Sequence, residues 1–248
     1  KKINITVNVK IQKPIEKITD DTDILANTAL TELNKNKIDE YQLTKLLSIG
    51  TLGKNPKLVP TKWAITAVDD KIGIDNYKEI LTYPEIDFKI VTHHYLGNKY
   101  IICFFPAPYS FEFIEIIFPN TKDNHENSFH IQSDYEFPQG RKTYAEITAG
   151  GYYASRLPIL EHLKKIKRQA RVIVFRCITD DYTTPLGVWV VREGTRETLK
   201  HQVKDIDESL AKDVIGFFLK KYGMSNPTLA IKHSVLLREK QTSIKNFK

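Results

Sequence analysis

Between Asp87 and Phe118 the chain runs DFKIVTHHYL, then KYIICFFPA, then SFEFIEIIF. Three strand-like runs in immediate succession constrain the fold more than any other feature, because they bury their apolar sides only as a sheet. Gly97-Asn98 supplies a two-residue turn between the first two, and Pro106 and Pro108 bound the second. Further on, RVIVFRCI and LGVWVV read as a strand pair across the turn TDDYTTP. Helical spacing dominates before and after this region. The expected fold class is therefore α+β, with a mostly antiparallel central sheet and flanking helices.

The flanks read as follows. Ile3, Ile5, Val7, Val9 and Ile11 alternate with polar residues as a half-buried strand that Pro14 ends. Asp20, Asp21, Thr22 and Asp23 offer N-caps for a helix through Ile24, Leu25, Ala29, Leu30 and Leu33. EYQLTKLLSIG gives a second helix, with Gly50 just past its end. WAITAVDD reads as a short strand ending on two acids, and DNYKEILTY as a helix stopped before Pro84. Leu157, Leu160, Leu163, Ile166 and Ala170 place a helix over Ser155–Arg171, with Pro158 in its first turn; a start nearer Gly150 would force a kink. EGTRETLKH, DESLAKDVIGFFLKKY and LAIKHSVLLREK supply the last helices. Residues 1–240 are expected to form one α+β unit, with a helical N-terminal part over 14–56, followed by a tail at 241–248.

Several function classes fall away. No run of 18 apolar residues exists, and the alternating start is not a signal peptide, so no membrane association and a cytoplasmic, nucleoid-associated place are expected. Cys103 and Cys177 sit in apolar strand-like runs, and no CxxC occurs, so both read as reduced core residues and zinc is not expected. No Walker A, GxGxxG, HExxH or G-x-S-x-G is present. His93 and His94 are neighbours in a strand and point to opposite faces. Trp63 and Trp189 read as core aromatics, since stacking on bases requires exposure.

The net charge of +7 turns attention to polyanions. Arg156, Lys164, Lys167, Arg168 and Arg171 mark the helix after Ser155 as a candidate nucleic-acid surface, the last four sharing a face. The competing reading is a solvated helix end favoured by the macrodipole. Lys62, Arg141 and Lys142 lie in loops that would extend the surface. Gly150-Gly151 before a helix is a candidate anion site, against a tight turn or close packing of Tyr152 and Tyr153. Asp69, Asp70, Asp87 and Lys89 imitate the acid…acid-x-lysine spacing of nucleases, with Asp70 and Asp87 as candidate ligands for Mg²⁺ or Mn²⁺. A turn or helix cap is the competing reading for Asp69-Asp70.

The stretches DDTD (20–23), LLSIGTLG (46–53), KLVPTKWAITAVDD (57–70), YPEID (83–87), GRKTYAEITAGGYYASR (140–156) and PLGVWVVREGTR (185–196) occur in an order and wording that resemble the archaeal Nre family of DNA repair proteins, of the NreA type. The resemblance covers nearly the whole chain from about residue 14. It implies a part in the archaeal response to DNA damage, an N-terminal cysteine zinc motif, and a C-terminal motif for PCNA, the sliding clamp. The zinc motif is not in this sequence, so the chain is expected to be a fragment from the family's C-terminal part, to lack residues that belong ahead of it, or to be a member that differs. The clamp motif falls on QTSIKNFK: Gln241, Ile244 and Phe247 are spaced by three, so a single 3₁₀ turn would put Ile244 and Phe247 on one side as an apolar plug. Lys248 stands where many such motifs carry a second aromatic. The leading expectation is a repair factor that binds DNA and the clamp. A metal-dependent nuclease and a non-catalytic protein adaptor are the alternatives.

Overall fold

The computed structural model describes residues 11–55, 57–201 and 204–238, so the clamp motif at Gln241, Ile244 and Phe247 and all of the expected first strand except Ile11 lie outside the described residues. The chain divides into two units, Lys1–Asp75 and Asn76–Lys248.

The first unit is helical: α1 (Lys13–Thr19), α2 (Ala26–Lys35), α3 (Glu40–Ser48) and the start of α4 (Thr61–Ile80). Ala29, Leu30 and Leu33 of α2 and Leu43 and Leu47 of α3 form its core with Ile15, Ile38 and Leu52. Asp39 caps α3, its carboxylate accepting from the Gln42 N–H at 2.9 Å. The DDTD acids do not cap α2. Asp21 instead accepts from the Asp23 and Ile24 amides at 3.0 Å, closing a turn ahead of the helix. WAITAVDD is likewise not a strand. Ala64, Val68 and Ile72 recur every fourth residue and are buried, so one 20-residue helix, α4, absorbs both this stretch and the next.

The second unit carries a six-stranded sheet: β1 (Lys89–Tyr95), β2 (Asn98–Phe105), β3 (Ser110–Ile117), β4 (His130–Glu136), β5 (Arg171–Ile178) and β6 (Lys204–Asp205). The order is β4-β3-β5-β2-β1-β6, and every pair is antiparallel except β3 with β5. The hairpin from β1 to β2 turns on Leu96-Gly97, both at positive φ (45° and 76°), and Asn98 already pairs with Tyr95. LGVWVV is not the partner of β5. It enters helix α6 (Val188–Thr198), where Val190, Val191, Gly194, Thr195 and Thr198 are buried at helical spacing. Tertiary burial there overrides β-propensity.

The central strands are buried on both faces. Tyr100, Ile102, Phe104, Phe111, Phe113, Val172 and Val174 pack with Tyr152, Leu160 and Leu163 of α5 (Gly150–Ile166) and Val190 and Val191 of α6. Their alternates Ile101, Cys103, Ile114, Ile116, Ile173, Phe175 and Cys177 pack with α7 (Ala211–Lys221) and α8 (Pro227–His233). Both cysteines are free and fully buried, and burial pushes the Cys177 thiol up to about 12. Helix α5 starts at Gly150 rather than Ser155 and ends before Lys167, so Pro158 lies inside it and leaves the Ala154 carbonyl without its intrahelical donor.

Candidate nucleic-acid interface

The end of α5 presents a basic cap. Lys165, Lys167 and Arg168 are exposed, and Lys164 is 42% exposed with its ammonium 2.7 Å from the Glu79 carboxylate and 3.3 Å from Asn76 Oδ1. These bonds bring exposed Lys78, one residue from Glu79, beside the cap. The hydrogen bond from Lys164 holds the Glu79 carboxyl below its ordinary value. Backbone geometry fixes the cap: Lys167 takes the left-handed conformation (φ 53°) and the Arg168 N–H returns to the Leu163 carbonyl at 3.0 Å. Lys165 lies in the same basic helix end in the sequence, but sequence spacing does not reveal Lys78, which stands on α4 and neighbours the cap only because α4 and α5 meet through Asn76 and Glu79.

The other predicted contacts scatter. Arg156 is not a surface cation: it is 4% exposed, and its Nε donates to the Glu136 carboxylate at 2.6 Å. A longer helix toward Gly150 is what buries it, since residues 151–160 all face inward. Arg171 belongs to β5, not to the α5 face, and its Nη1 donates to the Leu236 carbonyl at 3.2 Å. Arg141 organises its own loop, donating to the carbonyls of Tyr135, Thr143 and Tyr144 while lying 5.2 Å over the Tyr152 ring. Lys142 beside it is exposed. Lys62 is exposed in the first unit, in the first turn of α4 rather than in a loop.

At Gly150-Gly151 the amides of Gly151 and Tyr152 donate to the Thr148 and Ala149 carbonyls at 3.0 and 3.2 Å. The Asp134 carboxylate accepts both the N–H and the hydroxyl of Thr148 at 2.7 and 2.9 Å and pairs with the Arg141 guanidinium at 3.3 Å, so the residues ahead of the helix are already engaged by this chain's own side chains. A Cβ on Gly151 would lie 3.1 Å from the Phe113 ring, so this glycine allows α5 to approach β3.

Asp69 and Asp70 stand on α4 in the first unit, Asp69 at 1% exposure. Asp87 and Lys89 belong to the second unit and line a cleft of about 560 Å³ with Phe88, Pro106, Ile206 and Glu208. Among the described residues no three His, Cys, Asp or Glu side chains gather to hold a metal ion. His93 stacks on His201 at 3.7 Å between ring centres, and His94 meets Tyr222 edge-on at 5.1 Å. Trp189 is half-buried against the core, but Trp63 is 65% exposed, against its expected place in the core. Among the described residues no helix is long and apolar enough to cross a membrane.

The second unit is thus a sheet covered on both faces by helices, with a basic cap at the end of its most buried helix. Two descriptions of one protein family match the chain almost from end to end: archaeal Nre, N-terminal, over residues 1–123, and archaeal Nre, C-terminal, over residues 136–247. The chain belongs to the archaeal Nre family. It is 35% identical over 209 residues to "DNA repair protein NreA" of Haloferax volcanii, covering 82% of this chain and 50% of that protein. It is 35% identical over 236 residues to "DNA repair protein NreB" of Archaeoglobus fulgidus, covering 95% and 60%. "DNA repair protein NreA" of Archaeoglobus fulgidus is 38% identical over 205 residues, covering 80% and 51%. The chain therefore spans about half the length of the relatives it matches. No solved structure matches it.

Proposed function

We propose that this chain is part of a DNA repair protein that holds DNA by a basic surface and is recruited to the PCNA clamp by its last residues. The basic cap of Lys78, Lys164, Lys165, Lys167 and Arg168 carries the DNA reading. The cations end a rigid, buried helix, so they meet a phosphate backbone as a fixed cluster, and each phosphate they neutralise releases condensed counterions. The names of the relatives, all DNA repair proteins, support the same reading. The clamp reading rests on the spacing of Gln241, Ile244 and Phe247.

The test is DNA affinity against salt. Affinity for duplex DNA is expected to fall steeply with salt. In Lys164→Ala/Lys167→Ala/Arg168→Ala the slope is expected to drop by about 0.9 for each phosphate no longer neutralised. A slope unchanged by the triple substitution refutes the cap as a DNA surface. Phe247→Ala is expected to abolish PCNA binding without altering the fold, and intact binding refutes the clamp reading.

A second reading, a nuclease using Mg²⁺ or Mn²⁺, has one observation in its favour. Asp87 and Lys89 share their cleft with Glu208. Metal-dependent cleavage of branched or damaged DNA, lost in Asp87→Asn, would carry it.

A further inference from the structure

Two of the most exposed large apolar side chains lie five residues apart in the first unit, Leu58 at 82% and Trp63 at 65%. An indole left in water forgoes the gain of burial, and two large apolar side chains held outward close together in the chain on a well-fixed backbone point to a partner.

The backbone here is fixed at several points. Gly50, at φ 73°, lies so close to Lys57 that a Cβ would sit 2.8 Å from its carbonyl carbon. Gly53 packs on Ala26, where a Cβ would lie at 3.0 Å, and Leu52 is buried between them. The Thr51 hydroxyl donates to the Leu46 carbonyl at 2.9 Å, and the Val59 amide to the Ser48 carbonyl at 3.1 Å. The Trp63 amide donates to the Pro60 carbonyl at 2.8 Å in the first turn of α4. Residues 50–55 and 57–60 are therefore pinned under Gly50, Gly53 and Leu52, and Leu58 and Trp63 point outward from them and from the start of α4.

The surrounding charge has one sign. Residues 41–68 contain four lysines and neither Asp nor Glu. Three of those lysines, Lys54, Lys57 and Lys62, are exposed in the same loop and helix start as Leu58 and Trp63. A flat aromatic face among lysines, with no carboxylate in its stretch of chain, matches a ligand with both planar rings and regular negative charge. Nucleic acid has both. Its bases are free to stack on a side chain where the strand is unpaired.

We propose that Leu58 and Trp63, with Lys54, Lys57 and Lys62, form a stacking site for unpaired bases of single-stranded DNA. The site rests on the DNA-binding reading above and adds to it a substrate preference, single-stranded or gapped DNA over intact duplex. Trp63 takes a base on its indole face, Leu58 packs at the edge of that base, and the lysines neutralise the flanking phosphates.

The chain has two tryptophans, so Trp189→Phe leaves Trp63 as the only indole reporter. Titration of that variant with a short oligothymidylate is expected to quench its fluorescence, and a hairpin duplex of equal nucleotide number to quench it far less. In the otherwise native chain, followed by anisotropy of a labelled oligothymidylate, Trp63→Ala is expected to weaken binding roughly tenfold, with Trp63→Phe retaining most of the affinity. Lys57→Ala/Lys62→Ala is expected to lower the salt slope by about 0.7 for each phosphate no longer neutralised. Quenching that persists in Lys164→Ala/Lys167→Ala/Arg168→Ala supports a separate site. Oligothymidylate binding that neither quenches Trp63 nor weakens in Trp63→Ala overturns the stacking site and leaves the α5 cap standing. Absence of any DNA binding overturns both.

Discussion

The Arg156 guanidinium meets the Glu136 carboxylate at 2.6 Å with both side chains at 5% exposure or less. Glu136 also accepts the Tyr109 hydroxyl at 3.0 Å, and burial pushes the Tyr109 phenol up, which keeps it a donor. Arg156 lies 5.8 Å over the Tyr77 ring. The pair ties α5 to β4. Removing one member leaves the other charge buried, so Arg156→Ala is expected to cost about 3–5 kcal/mol in urea unfolding. Replacing both, as in Arg156→Met/Glu136→Gln, should cost less. In folded protein Arg156→Ala should leave the salt slope of DNA binding unchanged; a lower slope would return Arg156 to the DNA surface.

Gly194 makes a similar junction between α6 and β2. A Cβ there would lie 2.5 Å from the oxygen of the Tyr100 hydroxyl, which donates its proton to the Val190 carbonyl at 3.2 Å. Tyr100 is fully buried, and burial lifts its phenol to about 12. Gly194→Ala gains helix propensity but forces two packed elements apart, so a net loss of roughly 1–3 kcal/mol is expected. A thermal midpoint equal to the parent's would show that α6 shifts without cost.

The sheet was legible because β2, β3 and β5 are long apolar runs that only a sheet buried on both faces accommodates. Strand order was not. Nothing in the sequence says that β5, some 50 residues after β3, slips between β3 and β2, because that choice is made by long-range pairing. WAITAVDD and LGVWVV misled for one reason: six or eight residues rich in Val, Ile and Trp carry the same local signal in a strand and in a buried helix. Only the burial of Ala64, Val68 and Ile72, four apart, separates the two. The candidate site suffered from the same blindness to distance. Arg156 looked like a surface cation because its partner Glu136 stands 20 residues away on a strand, and Trp63 looked like core because composition does not report exposure.

Glu112 anchors the segment that leads toward the chain's end. Its fully buried carboxylate accepts the Ser234 hydroxyl at 2.6 Å and the Val235 and Leu236 amides at 2.9 and 3.0 Å. Glu112→Ala would strand three donors at once. A loss of roughly 3 kcal/mol is expected, with hydrogen exchange speeding up first at Val235 and Leu236. Exchange that accelerates evenly through the sheet, with no excess at those two amides, would contradict a local anchor.

Burial, helped by the Lys165 ammonium, holds the His162 imidazole below its ordinary value of 6.5, and its ring lies 5.8 Å from that of Phe104. Burial also depresses His93, His94 and His233. In the unfolded chain these rings take up protons near 6.5, whereas the folded chain resists until lower pH. Between the two values the unfolded state binds more protons, so stability is complete above about pH 6.5 and falls as pH drops below it. The denaturation midpoint should therefore decrease from pH 7.5 to pH 5.5, and His162→Phe, which cannot take a proton, should flatten part of that decrease. Equal pH profiles for parent and variant would show that His162 carries its charge in the folded state as readily as in the unfolded one.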